Sequence, residues 1–478
     1  MPRVVVEQRD AHLTLAFTAP EAVLLTATEV NEWVWEHAIR LVTGVESSPM
    51  LSPGDLPRDE AAAVNQLRHL AALERLAPTS DIALTAGVHQ HVALVTGSNG
   101  KTTTTRLIAA MTTAFGWRSG WSCTDGVFIA GETVESGDWS GPAGARRVVS
   151  DPSVEAAVLE TARGGILRRG LGVIGADVAV VTNIEEDHFG EYGVRSLADL
   201  AVVKLTTAKG LRPGGQLLLN AADPTLRAAP LPPNTIIDWF APAGREGDTA
   251  DLPIGAWRDS DALWLEDAQG RHHLGDLRAM PLTLGGTARY NIANALAAAL
   301  AANRLGVDAM TIAHVLKSFG AHPGDNAGRL MRFSVDGAEV LLDYAHNPTG
   351  LQGLLGVAQA LAPKRLLLLL GQAGNRSDDA LTALAETAWA ARPDRIILKD
   401  LEGYRRGRDV GEVPALLAAA LGRAGAPAER LTVVPDEVEA VEAALAWAEP
   451  GDVLVLPVHG LEAREAVLTR LAARGIRS

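Results

Sequence analysis

Apolar residues alternate with polar ones from Val4 and Val6 to Leu13, Leu15 and Phe17, a period of two that predicts a small hairpin over residues 3–17. From Glu21 to Val42 the pattern becomes helical, with Val30, Val34, Ile39 and Leu41 among the apolar positions. Ser47 to Pro57 reads as a loop, and Asp59 to Leu76 as a second helix that Pro78 ends before a linker to residue 91. Residues 1–90 are thus expected to form a small α+β accessory module with no chemistry of its own.

At Val92-Ala93-Leu94-Val95 the alternation gives way to an unbroken apolar run, the pattern of a strand covered on both faces. A glycine-rich turn and a helix from Thr102 to Phe115 follow. Further strands are expected at Val154–Leu159, Asp177–Thr182 and Gln216–Asn220, with helical stretches between them. Residues 91–325 therefore read as an α/β domain with a mainly parallel sheet. Residues 235–285 carry more polar breaks and suggest an antiparallel excursion, while alanine-rich Tyr290–Leu305 predicts a helix. A boundary falls near Gly320–Gly328, which contains Pro323. Beyond it, strands at Glu339–Leu342, Arg365–Leu370, Arg395–Leu398, Leu431–Val434 and Val453–Leu456 alternate with helices, so residues 326–478 are expected to form a Rossmann-like unit.

Composition narrows the function. A formal charge of −14 argues against general nucleic-acid binding, which favours a basic excess. The single cysteine, Cys123, excludes an intrachain disulfide framework and any multi-cysteine metal site. No apolar run approaches the roughly 18 residues of a membrane span, and the first ten residues turn acidic before a signal-peptide core could form. A soluble, cytoplasmic protein without nucleic-acid or membrane partners is expected.

The chemistry concentrates at strand ends. In Gly97-Ser98-Asn99-Gly100-Lys101-Thr102-Thr103, backbone N–H groups and the following helix N-terminus can surround phosphate oxygens, Lys101 adds a mobile charge, and Thr102 is placed to ligate Mg²⁺. The usual G-x-x-x-x-G-K-[ST] pattern fails at its first position, Val95, so a plain glycine turn before a threonine-rich helix is the alternative. Glu160 follows an apolar strand and can bind Mg²⁺ directly or through water; its bland reading is a cap. Asn183-Ile184-Glu185-Glu186-Asp187-His188 ends another strand, where a neutral His188 can ligate a metal and Asp187 orient it. Farther on, Asn291 is a nucleotide contact or a helix cap, Arg329 a γ-phosphate ligand or a surface cation, and Asp343 a ribose ligand or a turn former.

Taken together, Thr96–Arg106, Glu160–Arg168, Thr182–His188 and Asp343-Tyr344-Ala345-His346-Asn347-Pro348 resemble the Mur ligase superfamily, which includes folylpolyglutamate synthetases. The closest resemblance, over residues 90–460, is to the carboxyl-terminal ligase half of cyanophycin synthetases. It implies a P-loop Mur-ligase central domain, a Rossmann-like C-terminal domain, and formation of an amide from a carboxylate acceptor and an amino acid through an acyl phosphate. ATP and Mg²⁺ are then held by Gly97 to Thr103 together with Asn183, and a second Mg²⁺ by Glu160 and His188. The nucleoside falls to Asn291 and Asp343, and the γ-phosphate to Arg329. Lys204 is the candidate for the carbamylated lysine that many Mur ligases carry. Amino-acid selection falls to the C-terminal domain. Arg376 is expected to grip a carboxylate and Asp400 and Glu402 a cationic, basic amino acid, with Arg163, His346, Asn375 and Arg408 also at the substrates. Asn375 stands where relatives often have an acid, and a charged surface loop is the alternative for residues 399–408. Cyanophycin synthetase also has an ATP-grasp ligase ahead of its Mur-like half. Here Thr28–Val34, faintly similar to the amino-terminal region of those enzymes, leads almost directly to the phosphate loop. Alternating two-residue polymer synthesis by this chain alone is therefore not expected, and a separate partner ligase or a homo-oligomer stays open. The rival reading is a regulatory or scaffold protein that binds nucleotide without ligation; an ordinary peptidoglycan or folate ligase fits Glu160–Arg168 less well.

Overall fold

The computed structural model describes residues 3–9, 12–18, 84–85, 90–186, 189, 194–474 and 476–477. The helices expected at 21–42 and 59–76, and the metal-site candidate His188 with Asp187, lie outside the described residues. The expected hairpin is present: β1 (Arg3–Arg9) and β2 (His12–Thr18) pair antiparallel, with Val4 opposite Phe17 and Val6 opposite Leu15. A short β3 (Leu84–Thr85) pairs with a strand farther along.

Among the described residues, eleven strands form one sheet. Its centre is parallel: β4 (His91–Thr96) lies between the strands Ala156–Glu160 and Ala176–Val181. Ahead of those in the chain come the hairpin strands β5 (Ser119–Cys123), β6 (Gly126–Ile129) and β7 (Glu132–Ser136). We label Ala156–Glu160 β8, Val173–Ile174 (the partner of β3) β9, and Ala176–Val181 β10. The sheet continues through β11 (Leu211–Asn220), β12 (Ile236–Ala241), β13 (Ile254–Asp259), β14 (Ala262–Asp267) and β15 (Gly270–Asp276). Successive strand residues point to opposite faces, so Val92 and Leu94 pack on one side and Ala93 and Val95 on the other. Both faces are covered, which is why β4 is apolar without alternation.

Helix α1 (Lys101–Ala114) lies on the face of Ala93 and Val95 and buries Leu107, Ile108 and Met111. The opposite face carries α2 (Pro142–Val149), α3 (Arg163–Arg169) and α4 (Leu197–Leu205), whose Ser196–Asp199 capping box fixes its start; α5 (Pro224–Ala228) sits beside them. The expected alanine-rich helix is α6 (Arg289–Leu305), followed by α7 (Ala309–Ser318). Ala297, Ala298, Ala299, Ala301 and Ala302 are all buried, because small side chains let α6 lie close to the sheet and to α1. The antiparallel excursion expected over 235–285 is smaller than the sequence suggested. β12 and β13 extend the sheet in parallel, and only β14 and β15 reverse. At the other end β6 and β7 turn antiparallel, and β7 leaves Glu132 and Val134 exposed at the edge.

A second sheet has parallel strands β17 (Ala338–Asp343), β18 (Leu366–Leu370), β19 (Arg395–Leu398), β20 (Leu431–Val433) and β21 (Val453–Pro457). Beside β17 run antiparallel β16 (Met331–Val335) and β22 (Ile476–Arg477). Helices α8 (Pro348–Ala360), α9 (Asp378–Ala390) and α10 (Glu412–Arg423) cover one face, α11 (Glu437–Trp447) and α12 (Leu461–Arg474) the other.

Candidate functional site

The carboxyl ends of β4, β8 and β10 lie side by side, with Val95 level with Glu160 and Thr96 with Val181. That is where ligands gather in parallel sheets. The loop 97–100 crosses this end under tight constraint. Gly97 and Gly100 have φ of 147° and 85°, and a Cβ on them would stand 1.8 Å from Thr182 Oγ1 and 2.1 Å from Asn294 Oδ1. Asn183 holds the loop from below. Its carbonyl accepts from Ser98 N–H at 3.0 Å, and its Oδ1 from Asn99 N–H at 2.9 Å. Thr182 Oγ1 donates to Asn99 O at 2.6 Å. The loop feeds α1, whose N-cap Gly100 supplies no side chain and whose first turn carries no acid, so the positive helix end is left for an anion. Lys101 curls back, Nζ donating to the carbonyls of Gly97 at 3.0 Å and Ser98 at 2.9 Å.

Thr102 and Glu160, two of the three expected metal ligands, are in contact: Thr102 Oγ1 donates to Glu160 Oε2 at 2.8 Å. Glu160 is buried, and Thr124 engages both its oxygens, through the hydroxyl at 3.0 Å and the amide at 3.3 Å. Thr124 was missed by sequence reasoning because Ser119-Gly120-Trp121-Ser122-Cys123 does not announce the strand whose end it follows. Among the described residues no three His, Cys, Asp or Glu gather as a metal cluster. A buried carboxylate beside a hydroxyl and a phosphate loop is nevertheless the hard-oxygen donor set that suits Mg²⁺, which takes its other ligands from phosphate and water. Cys123 offers no nucleophile here: burial pushes its thiol up to about 11, with Glu160 and Asp125 adding to the shift against Arg106.

The second sheet docks over this loop. Asn347, the N-cap of α8, exchanges amide hydrogen bonds with Asn99 at 2.9 and 3.3 Å, and Thr349 Oγ1 donates to Glu185 Oε2 at 3.1 Å. Burial raises the Glu185 carboxyl above its usual range, Thr349 opposing. Arg329 lies between the sheets with its Cζ 4.0 Å from the Tyr344 ring centroid, so it is not a free surface cation. Asp343 Oδ2 accepts from Leu330 N–H at 2.7 Å, and burial raises its pKa despite Arg329. Asn291 does not reach the loop. Its Nδ2 donates to Leu282 O at 2.9 Å and its Oδ1 accepts from Asn294, the residue beside Gly100. Arg163 and Lys204 are buried on α3 and α4, both engaged in contacts.

At the carboxyl ends of the second sheet, His346 is half-buried, and its carbonyl accepts from Gln372 Nε2. Asn375 is exposed and Arg376 half-buried in the loop after β18. Arg408 donates to Gly374 O, Arg376 O, Asp378 and Glu412, so its guanidinium braces that loop from within. Asp400 and Glu402 part company. Glu402 is exposed, whereas Asp400 is buried, with Oδ2 accepting from Gly411 N–H at 2.6 Å and Oδ1 left without a hydrogen-bond partner. Sequence reasoning also missed Lys399, Glu437 and His459, buried together under these strand ends. Lys399 Nζ contacts Glu437 Oε1 and stands 3.2 Å from His459 Nδ1, while His459 Nε2 lies 3.0 Å from Ala345 O. The Ala345 carbonyl requires Nε2 to carry the proton, so Nδ1 accepts from the Lys399 ammonium.

A phosphate-loop sheet with a second parallel sheet docked on its loop is the two-sheet plan of the Mur ligases. Residues 95–302 match the Mur ligase middle domain and residues 328–457 the Mur ligase glutamate ligase domain. The chain belongs to the Mur ligase superfamily. It is similar to cyanophycin synthetase of Synechocystis sp., at 33% identity over 447 residues, 90% of this chain and 50% of that protein. Cyanophycin synthetase of Trichormus variabilis is 35% identical over 369 residues, 76% of this chain and 40% of that one. The chain thus spans half or less of the length of these curated relatives. In fold it is similar to Escherichia coli FolC solved with ADP, at a TM-score of 0.58, 19% identity and coverage of 94% and 98% of the two chains. A pseudomurein peptide ligase type C from Methanothermus fervidus gives 0.54, 19%, 80% and 79%.

Proposed function

We propose that this chain is an ATP-dependent, Mg²⁺-requiring ligase joining an amino acid to a carboxylate acceptor through an acyl phosphate. The contact of Thr102 with buried Glu160 beneath the phosphate loop carries the reading. We take residues 91–325 as the ATP-binding domain and 326–478 as the domain that selects the amino acid.

Loop N–H groups of residues 97–103 and the N-terminus of α1 bind the phosphates. Lys101 exchanges the carbonyls of Gly97 and Ser98 for phosphate oxygens, a swap of neutral acceptors for charged ones. Thr102 would hold the Mg²⁺ that accompanies ATP, and Glu160 with His188 a second, the ions supplying charge that offsets the phosphates. An acceptor carboxylate oxygen attacks the γ-phosphorus; the bond to the bridging oxygen breaks, and ADP leaves. The neutral amine then attacks the acyl carbonyl, the C–O bond to phosphate breaks, and the amine loses its proton as the amide forms. No enzyme nucleophile is required; position and charge supply the catalysis. Docking of Asn347 on Asn99 keeps water from the acyl phosphate. The buried, unpartnered Oδ1 of Asp400 favours a cationic amino acid, whose ammonium or guanidinium would satisfy it. Lys204, buried on α4, is assigned to carbamylation on family grounds; addition of its neutral amine to CO₂ with loss of a proton would replace the ammonium by a carbamate anion.

The test is ADP release with Mg-ATP across a panel of carboxylates and single amino acids, with product masses. Amino-acid-dependent turnover that falls by about 100-fold or more in Lys101→Ala is expected. Nucleotide binding without such turnover across the panel would support the regulatory alternative.

A further inference from the structure

Asp125, in the turn after β5, gathers three guanidiniums from separate parts of the chain. Arg106 of α1 donates to Oδ2 at 2.8 Å, Arg464 of α12 donates to Oδ1, and Arg329 stands 4.0 Å away. The side chains of Asp125 and Arg464 are 7% and 5% exposed, so the cluster is shielded from water. Glu160 and Asp343 lie close enough to offset charge on Arg329, but neither hydrogen-bonds to the guanidiniums: Glu160 accepts from Thr102 and Thr124, and Asp343 from Leu330 N–H.

Donors are left over. Arg464 Nη1 and Arg329 Nε and Nη2 are buried without hydrogen-bond partners. Leaving charged donors unsatisfied in a protein interior is costly, so an arrangement that retains them points to an absent anion. The two guanidiniums converge, their Cζ atoms lying 4.0 Å (Arg329) and 5.3 Å (Arg464) from the Tyr344 ring centroid. The cluster also adjoins the phosphate loop: Asp125 follows Thr124, which donates to Glu160, which accepts from Thr102.

We propose that Arg464, aimed by Asp125, is a second phosphoryl-binding arginine beside Arg329, donating to an oxygen of the γ-phosphate of ATP and then of the acyl phosphate. This rests on the ligase reading for the identity of the nucleotide. Asp125 is a positioning residue: it engages Arg464 at Oδ1 and leaves Nη1 for the anion. Because Arg464 comes from the second sheet, the phosphoryl site is complete only when the two sheets are docked.

The experiment is titration of the full chain with Mg²⁺ and either β,γ-imido-ATP or ADP, by calorimetry, for wild type, Arg464→Met, Arg464→Lys and Asp125→Asn. Arg464→Met should weaken the imido analogue on the order of 10- to 100-fold while ADP changes less than about twofold. Arg464→Lys should fall between, a point charge replacing a fork. Equal weakening of both nucleotides, or no change in either, would overturn the assignment and leave Arg464 a structural tie between the sheets. Thermal melts report folding; if Arg464→Met does not fold, Asp125→Asn decides, since it should also lose preference for the imido analogue, and retention of wild-type preference overturns the proposal. Wild type that binds neither nucleotide would sink the ligase reading along with it, whereas wild type that binds both with a preference unaffected by the variants sinks this proposal alone.

Discussion

Lys399 and Glu437 hold each other in charged states that neither would keep alone in the interior, with His459 beside them. Burial lowers the pKa of Lys399, with Glu437 opposing; burial works to raise Glu437, but Lys399 and hydrogen bonding from His459 together outweigh it and hold the carboxylate ionised. Burial and the Lys399 charge both depress His459 below its ordinary 6.5. The sign follows from linkage: as pH falls through 6.5 the unfolded chain takes up a proton that the folded histidine refuses, so stability drops. Glu437 adds a further loss at lower pH, as the medium falls from the ordinary 4.5 towards its depressed folded value. Thermal melts between pH 7.5 and 5 should show a falling midpoint, and His459→Gln should flatten part of that slope. A slope unchanged by His459→Gln would show that other groups set it. The strands that Lys399 and His459 follow could be read from their apolar runs, but the meeting of the two with Glu437 could not, since Lys399 and His459 are 60 residues apart.

Strands and helices were legible where burial on both faces wrote long apolar runs: β4, β8, β10, β18, β19 and β21. The same logic failed where pairing, not composition, sustains a strand. β5 reads Ser-Gly-Trp-Ser-Cys and is sustained by parallel pairing with β8. In β12, Asp238 looks like a break, yet Arg304 of α6 meets it at 2.6 Å, and the strand runs on in parallel. The candidate site divides in the same way. Loop 97–103 and Glu160 each stood out by a pattern of its own at a strand end; of Asp125 and its three arginines only Arg329 was singled out, because their meeting joins segments far apart in the chain. The loop also makes the sharpest prediction for an element. At Gly97 a methyl group meets Thr182 Oγ1 at 1.8 Å with φ at 147°, so Gly97→Ala must displace the loop. We expect a loss of about 1–3 kcal/mol in stability, read by denaturant titration, and at least about tenfold weaker nucleotide binding. Native affinity in this variant would show that the glycine is dispensable there.

Across the whole molecule, the two sheets meet through polar contacts, Asn99 with Asn347, Glu185 with Thr349 and Asp125 with Arg464, and through an apolar seam where Leu284, Ala288 and Tyr290 pack into the core of the second sheet. The polar contacts are undone more readily than that seam. Asn347 does double duty, since its Oδ1 also accepts from Gly350 N–H at 2.8 Å to cap α8. Asn347→Ala should cost about 1 kcal/mol for the cap and expand the nucleotide-bound chain in small-angle scattering. Asn347→Asp keeps the cap but spoils the amide exchange, so it should expand the chain with a smaller loss of stability. Identical scattering from both variants and wild type would mean that the amide pair does not hold the sheets together.

The long sheet also has ends. Along β7, Glu132 is exposed and Glu135 half-buried, and along β15 come Arg271, His272, His273 and Asp276. A strand edge is a template on which another chain can add itself, and charges there make that addition unfavourable. An eleven-stranded platform broad enough to seat a nucleotide is thus kept from growing from molecule to molecule by residues that take no part in the proposed chemistry.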